Sequence, residues 1–213
     1  MIKAVIFDLD GVLTETSSYH FAAWNDLAAT LNFQCEESFE PSLRGISRLD
    51  SLRLMLKTYR PDLVYTDEEL KTWAAIKNDI YLARIKSMTP DDLFDGVLPL
   101  FAQLKADGVK IALASASLNG PLLLESLGIR SYFDHLVDPS MYPSKPHPGL
   151  FEDPLKVFDL RPDEAIGIED APAGIEAIKA AGLKAIGIGH PHDLKDADLI
   201  VSAFKDIPYP FQL

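Results

Sequence analysis

Two carboxylates that could bind a metal ion follow the first apolar run of the chain. Residues 3–7 are typical of a buried strand, and Asp8, Asp10 and Gly11 come directly after them. Two acids so close together repel each other unless a cation or a shared proton lies between them. Mg²⁺, which prefers oxygen ligands, would satisfy both. A solvated Asp-Gly turn is the alternative interpretation of this segment.

A second acidic pair, Glu169 and Asp170, follows another apolar run at residues 165–168. If both runs are central strands of one parallel sheet, their carboxyl ends lie at the same edge, where open sheets bind ligands. Because a structural core would not collect four unpaired acids, the sequence predicts a magnesium site at that edge. Alternatively, Asp170 caps the helix that begins near Pro172.

Groups that could bind a phosphate are predicted at two further places. Ser115 and Ser117 follow the apolar run of residues 109–114, and small hydroxyl groups between a strand and a helix can donate to a phosphate. Lys145, which precedes a proline, could place a positive charge at the same phosphate. The alternatives are ordinary helix N-capping by the serines and a solvated lysine on the surface.

Two different sequence patterns occur in the segments that must position these groups. In residues 90–205 and around the first strand, short β-branched runs alternate with helical spacing, which is typical of a parallel sheet covered by helices on both faces. Residues 17–88 show helical spacing alone, and Thr66 with Glu69 forms a capping box there. We therefore predict an α/β fold with a Rossmann-like core and a small helical cap inserted into it. The predicted core comprises residues 1–15 and 90–213, and the predicted cap comprises residues 16–89.

The composition argues against several classes of function. Of 213 residues, 32 are acidic and 20 are basic, and the net charge of −12 disfavours binding to nucleic acid or to anionic membranes. No apolar run reaches the roughly 18 residues of a membrane span, and the N-terminus has no secretion-signal pattern. The single cysteine, Cys35, excludes an internal disulfide and indicates a reducing compartment. We expect a cytoplasmic monomer that acts on a small molecule.

Four short motifs, taken in order along nearly the whole chain, resemble those of the haloacid dehalogenase-like phosphotransferase superfamily. They are Asp8-x-Asp10-Gly11, Ser115, Lys145 and Glu169-Asp170. Further segments resemble the β-phosphoglucomutase family within it, whose members interconvert β-D-glucose 1-phosphate and glucose 6-phosphate through β-glucose 1,6-bisphosphate. These segments are residues 16–24, 43–48, 77–79, 113–117 and 119–121.

The resemblance implies a sugar-phosphate substrate and a role for each motif. Asp8, ionised at pH 7, would be the nucleophile, and Asp10 would be the general acid–base, with a pKa raised in the closed site. One Mg²⁺ would be held by Asp8, by Asp10 through its backbone carbonyl, and by Asp170, with Glu169 contributing. The bisphosphate would act as both intermediate and activator. Ser115, Ala116 and Lys145 would hold the transferring phosphoryl group, and the sugar and its distal phosphate would contact Thr16, His20, Trp24, Gly45, Arg48, Lys77, Ser117 and Asn119.

Some residues depart from the family pattern. Leu118 stands where several relatives have lysine or arginine, and Arg44 replaces a common lysine. Residues 141–143 and 147–149 also differ, which could change the sugar preference or the loop that carries Lys145. A phosphatase on the same scaffold is the alternative function, and it would not need a site for a distal phosphate. An acidic interaction protein without activity is a third hypothesis, which the intact motifs disfavour.

Overall fold

A six-stranded parallel sheet forms the centre of the protein, and its strand order is β3-β2-β1-β4-β5-β6. The computed structural model describes residues 1–211. All neighbouring strands pair in parallel, so the predicted α/β fold is confirmed. The strands are β1 (Ala4–Phe7), β2 (Lys110–Leu113), β3 (His135–Leu136), β4 (Ala165–Glu169), β5 (Lys184–Ile188) and β6 (Leu199–Val201).

Helices cover both faces of this sheet. Along β1, Val5 and Phe7 point to one hydrophobic cluster, which α4 and α5 complete, while Ala4 and Ile6 point to the other, which α6 and α7 complete. Alternate side chains of a strand point to opposite faces, so a strand buried on both sides must be apolar throughout. The helices are α1 (Ser17–Thr30), α2 (Arg48–Tyr59), α3 (Asp67–Ile85), α4 (Val97–Ala106), α5 (Gly120–Ser126), α6 (Gly149–Phe158) and α7 (Pro172–Ala180).

Helices α1, α2 and α3 lie between β1 and α4 in the sequence and share a separate hydrophobic cluster. Trp24, Leu27, Leu52, Met55 and Leu70 are buried in it. The capping box predicted at the start of α3 is present, and it satisfies backbone N–H groups that a helix start leaves without partners. The limits of the cap at residues 16 and 89 remain our prediction.

The chain passes between the sheet and the inserted helices along two segments that lie side by side. The Thr14 hydroxyl donates to the Asp92 carbonyl at 2.7 Å, and the Phe94 N–H donates to the Leu13 carbonyl at 3.0 Å. Thr14 is fully buried. These bonds hold the outgoing and the returning segments together directly below the carboxyl end of β1.

Two aspartates fix the starts of the short edge strands in the same way. Asp134 accepts bonds from Lys105, Lys110 and the Ile111 N–H just before β3. Asp198 accepts the equivalent bonds from Lys179, Lys184 and the Ala185 N–H just before β6. In the part of the chain that is described, no helix is both long and apolar enough to cross a membrane.

Candidate active site

The carboxyl ends of β1 and β4 place two acids around one buried ammonium group. Lys145 Nζ lies 2.6 Å from Asp8 Oδ1 and 2.7 Å from Glu169 Oε1. The lysine is only 1% exposed, so the alternative of a solvated surface side chain is wrong. Residues 8 and 169 meet here because β1 and β4 are neighbours in the sheet. The geometry therefore brings together two of the predicted acids and the predicted phosphate-binding lysine.

The second oxygen of Glu169 holds the backbone that leads into α7. Glu169 Oε2 accepts bonds from the Asp170 and Ala171 N–H groups at 2.8 Å each. Gly174 leaves room for this carboxylate, since a Cβ there would lie 1.9 Å from Glu169 Oε1. The alternative that Asp170 caps α7 is wrong, because the cap residue is Ala171 and it has no side-chain bond of this kind.

Asp170 lies against the loop that follows β1. A Cβ on Gly11, whose φ is +80°, would lie 2.1 Å from Asp170 Oδ2, so only glycine fits both the turn and the close approach. Burial raises the pKa of Asp170 well above its usual range, and the charges of Glu169 and Asp8 add to this rise. The site therefore gathers more negative charge than its lysine neutralises.

The pKa of Asp8 is also raised by burial and by neighbouring negative charges. Burial raises its pKa to about 7, and Glu169 and Asp10 add to the rise while Lys145 opposes it. Burial alone would lower the pKa of Lys145, but its two carboxylate partners raise it, so the ammonium stays charged. A further cation at the site would favour the carboxylate form of Asp8, and an ionised Asp8 as nucleophile remains our prediction.

Asp10 has polar partners that favour its ionised form. The Thr16 hydroxyl donates to Asp10 Oδ1, and His20 Nε2 lies 3.6 Å from the same oxygen. Burial alone would raise the pKa of Asp10, but His20, Thr16 and Lys77 outweigh it and lower the pKa below its usual value. In this arrangement Asp10 is therefore suited to accept a proton, and a raised pKa at the step in which it donates one remains our prediction.

His20 and Lys77 form a buried pair beside Asp10. Lys77 Nζ lies 2.6 Å from His20 Nδ1, and the other ring nitrogen of His20, Nε2, faces Asp10. Burial lowers the pKa of Lys77 to about 7, and burial together with Lys77 lowers the pKa of His20. Trp24 and Tyr81 surround the ammonium, with ring centres 4.6 and 4.9 Å from it.

The loop after β2 carries the predicted hydroxyl groups. Ser115 Oγ accepts from the Ser117 N–H at 3.0 Å, and Ser117 Oγ accepts from the Asn119 N–H at 3.3 Å. Neither serine caps α5, whose cap residue is Asn119, so ordinary N-capping is not their role. Asn119 Nδ2 instead donates to Asn78 Oδ1 of α3 at 2.9 Å, which joins this loop to the inserted helices.

The inserted helices contact the sheet edge at two further points. Arg44 Nη1 lies 3.5 Å from Asp170 Oδ2, and the Ser47 N–H donates to Ser144 Oγ at 2.5 Å. Ser144 immediately precedes Lys145, so this bond links the start of α2 to the loop that supplies the buried lysine. The cap is therefore closed over the edge of the sheet.

A cavity of about 600 Å³ lies between the inserted helices and the sheet edge. Predicted site residues that border it are Asp8, Asp10, His20, Trp24, Gly45, Arg48, Lys77, Ala116 and Ser117. Six others lie outside its wall, namely Thr16, Ser115, Asn119, Lys145, Glu169 and Asp170. Asp8, Asp10 and Arg48 thus face one cavity, while Lys145, Glu169 and Asp170 lie behind its wall.

A family model of haloacid dehalogenase-like hydrolases matches residues 2–182. The chain belongs to this family. It is 40% identical to the "Beta-phosphoglucomutase" of Bacillus subtilis strain 168, over 97% of this chain and 92% of that protein. It is 25% identical to the "Phosphorylated carbohydrates phosphatase" of Thermotoga maritima, over 95% and 91% of the two chains.

A solved family member has nearly the same structure. The crystal structure of β-phosphoglucomutase from Clostridium difficile superposes with a TM-score of 0.96 at 38% identity, over 99% of this chain and 95% of that one. Dependence on Mg²⁺ is typical of the family.

The acids at the sheet edge fit such an ion. No group of three or more His, Cys, Asp or Glu side chains within residues 1–211 is placed to hold a metal. Mg²⁺, however, usually takes only one or two carboxylates and keeps several waters. Asp8 and Asp170, whose pKa values are both raised by burial and by the charge of Glu169, would supply two such ligands. Glu169 has both oxygens engaged by hydrogen bonds, which favours a supporting role.

The sequence did not point to some residues of the site. Tyr81 stacks on His20 with ring centres 3.9 Å apart, and only its helical spacing relative to Lys77 could have indicated it. Tyr142 borders the cavity from the loop before Lys145. No feature of residues 141–143 in the sequence indicates that they border the cavity.

Proposed function

We propose that this protein is a β-phosphoglucomutase, which interconverts β-D-glucose 1-phosphate and glucose 6-phosphate. One observation carries the proposal: Arg48 and Ser117 border the same closed cavity as Asp8 and Asp10. A hydrolase that releases phosphate needs only the acids, whereas a mutase must hold a second phosphate while the first is transferred. An arginine can bind that phosphate through two parallel hydrogen bonds.

In the first half of the reaction, phosphorylated Asp8 gives its phosphoryl group to the sugar. The 6-hydroxyl of glucose 1-phosphate attacks phosphorus, the bond between phosphorus and the Asp8 oxygen breaks, and Asp10 accepts the hydroxyl proton. The product is β-glucose 1,6-bisphosphate. Thr16 and His20 keep Asp10 ionised for this step.

In the second half, the bisphosphate turns so that its 1-phosphate faces Asp8. A carboxylate oxygen of Asp8 attacks phosphorus, the bond to sugar oxygen O1 breaks, and Asp10 returns its proton to that oxygen. Glucose 6-phosphate leaves and Asp8 is phosphorylated again. Lys145 and Ser115 orient the phosphoryl group throughout, while Arg48, Ser117 and Asn119 hold the distal phosphate. Mg²⁺, held by Asp8, Asp170 and the Asp10 carbonyl, would neutralise charge on the phosphoryl oxygens when bound.

The remaining features of the proposal rest on sequence and chemistry. A trace of the bisphosphate is needed as an activator, because it phosphorylates Asp8 before the first turnover. Trp24, Gly45 and Lys77 would contact the sugar, since all three border the cavity. We propose a monomer in the cytoplasm, and the free, buried Cys35 is compatible with a reducing compartment.

The deciding experiment supplies Mg²⁺, β-glucose 1-phosphate and a trace of the bisphosphate. We expect glucose 6-phosphate to accumulate, measured by coupled oxidation with a glucose 6-phosphate dehydrogenase. Release of inorganic phosphate without glucose 6-phosphate would instead identify a phosphatase, the activity named for the relative from Thermotoga maritima.

The variant Asp8→Asn tests whether Asp8 is the nucleophile. We expect it to lower turnover by about a thousandfold or more, because the amide cannot form the phosphoryl intermediate. Asparagine has nearly the shape of aspartate, so thermal unfolding should show an intact fold. Full turnover by this variant would refute the assignment of Asp8.

A further inference from the structure

Tyr142 is an aromatic side chain in the wall of the cavity that the reaction does not use. It lies in the loop between β3 and α6 and borders the same space as Asp8 and Arg48. The side chain of Tyr142 packs directly against Gly149 of α6, as the space around that glycine shows.

Gly149 makes room for the ring of Tyr142. A Cβ at residue 149 would lie 2.4 Å from Tyr142 Cδ1 and 2.8 Å from its Cγ, closer than any real contact allows. The glycine does not have a positive φ, so its backbone does not require glycine. The missing side chain is needed for space alone, which makes Tyr142 and Gly149 a matched pair.

The hydroxyl end of the ring is fixed as well. Tyr142 Oη donates to Asp153 Oδ2 at 2.5 Å, and the other oxygen of Asp153 pairs with His135 Nε2. The ring is therefore held by α6 at one side and at its tip. The side chain therefore loses little conformational entropy when a ligand binds. A rigid aromatic side chain is effective in recognition for this reason.

Both apolar and polar residues of the loop border the cavity beside the ring. Pro139 and Pro143 border it together with Leu118, which is 57% exposed, and so do Ser140 and Ser144. The phosphate-binding groups lie at the sheet edge and at the start of α2, so the sugar ring must occupy the space between them. The aromatic face of Tyr142 offers the sugar ring carbon surface, which cannot form conventional hydrogen bonds with hydroxyl groups.

We infer that Tyr142 is a specificity-determining residue that packs against the C–H face of a pyranose and favours sugars whose ring hydroxyls are all equatorial. The inference rests on the proposed function and names its sugar class. An axial hydroxyl pointing at this wall loses its bonds to water and gains no partner, which costs binding energy. The gluco configuration avoids this cost, whereas the galacto configuration, with its axial 4-hydroxyl, does not.

The test compares wild type with Tyr142→Ala, Tyr142→Phe and Gly149→Ala. For each protein, the KM for β-glucose 1-phosphate is compared with the inhibition constant of β-galactose 1-phosphate in the same assay. We expect Tyr142→Ala to reduce this discrimination about tenfold, the scale of a lost apolar pocket contact. Gly149→Ala should reduce it too, because the new Cβ displaces the ring, whereas Tyr142→Phe should retain it.

Two controls separate recognition from a general effect on the loop. Met141→Ala alters the neighbouring residue, which is 72% exposed and outside the cavity wall, and it should leave discrimination unchanged. Labelling of Asp8 by acetyl phosphate, a donor without a sugar, should proceed at the wild-type rate in Tyr142→Ala.

The inference is overturned if Tyr142→Ala discriminates as well as wild type, or if Met141→Ala loses discrimination equally. Slow labelling of Asp8 in Tyr142→Ala would also overturn it, because the ring would then act by positioning Lys145. These outcomes are distinct from failure of the proposed function, which wild type alone would show by making no glucose 6-phosphate.

Discussion

Lys145 is a charged side chain that depends entirely on its two carboxylate partners. Its ammonium contacts Asp8 and Glu169 and is shielded from solvent on all sides. Removing one member of a buried ion pair leaves the other charges without compensation, and this costs more than the pair itself contributes. The lysine therefore holds the acids in place, in addition to its proposed contact with a phosphate.

Replacing this lysine by methionine should therefore destabilise the protein strongly. We expect Lys145→Met to lower the free energy of unfolding by about 3 kcal/mol, measured by urea denaturation without divalent ions. Lys156→Met is the matched control, because its bond to Glu152 lies on the exposed face of α6 and surface pairs contribute little. Equal stability of the two variants would show that the buried acids need no counter-charge.

The site residues divide into those that sequence could predict and those that it could not. Sequence could predict that Asp8, Ser115 and Asp170 lie at one edge of the sheet, because each follows the carboxyl end of a parallel strand. The protonation state of Asp10 depends on His20 and on Lys77, and Lys77 lies 57 positions after His20 in the chain. No local pattern encodes a contact of that kind, so the lowered pKa of Asp10 in this structure could not be predicted from the sequence.

At the scale of the elements, Asp134 and Asp198 perform equivalent tasks at the two edges of the sheet. Each joins the last turn of a helix, the first residue of a strand and the beginning of an edge strand. Burial alone would raise the pKa of Asp198, but hydrogen bonds from Lys179, the Ala185 N–H and Lys184 outweigh it and lower the pKa to about 2. The ionised form therefore stabilises the fold.

This stabilisation should depend on pH in a defined direction. Because the folded pKa is lower than the unfolded one, the contribution of Asp198 is complete above about pH 4 and is lost as the pH falls through 2. We expect Asp198→Asn to lower the free energy of unfolding by about 1 kcal/mol at pH 7 and to flatten its decline between pH 4 and pH 2. Chemical denaturation at several pH values measures both effects.

Asp163→Asn is the control for this aspartate. Asp163 pairs with Arg161 in full contact with solvent, so the free energy of unfolding should remain that of wild type. If Asp198→Asn behaved in the same way, the bonds to the lysines would have no role in fixing β6.

The two edge strands, β3 and β6, could not be predicted from the sequence. The runs that predicted β1, β2, β4 and β5 are apolar because both faces of those strands are covered. In contrast, β3 and β6 have two and three residues and are only partly buried. They are strands because a neighbour and an aspartate hold them, and neither cause leaves a pattern in their own residues.

At the scale of the whole molecule, the bond from the Ser47 N–H to Ser144 Oγ connects the inserted helices to the sheet. A closed cavity keeps water from the phosphorylated aspartate while the sugar hydroxyl reacts. Water is the competing nucleophile, and its access sets the balance between transfer and hydrolysis.

Ser144→Ala should shift that balance toward hydrolysis. We expect the ratio of inorganic phosphate to glucose 6-phosphate to rise about fivefold, since losing one hydrogen bond costs about 1 kcal/mol of closure. Both products can be measured in the same reaction. Ser126→Ala, an exposed change at the end of α5, should keep the wild-type ratio, and an unchanged ratio in Ser144→Ala would exclude a role for the bond.

The paired segments at Thr14 and Asp92 bear on how the protein could have acquired a new substrate. Because the chain leaves and re-enters the sheet at one spot, everything between those points can be exchanged as a unit without breaking a strand. A helical segment from a relative could therefore be grafted there, provided that it brings equivalents of Thr16, His20 and Lys77 to Asp10. Such a joint allows the helices that cover the site to change in evolution while the strands beneath them stay the same.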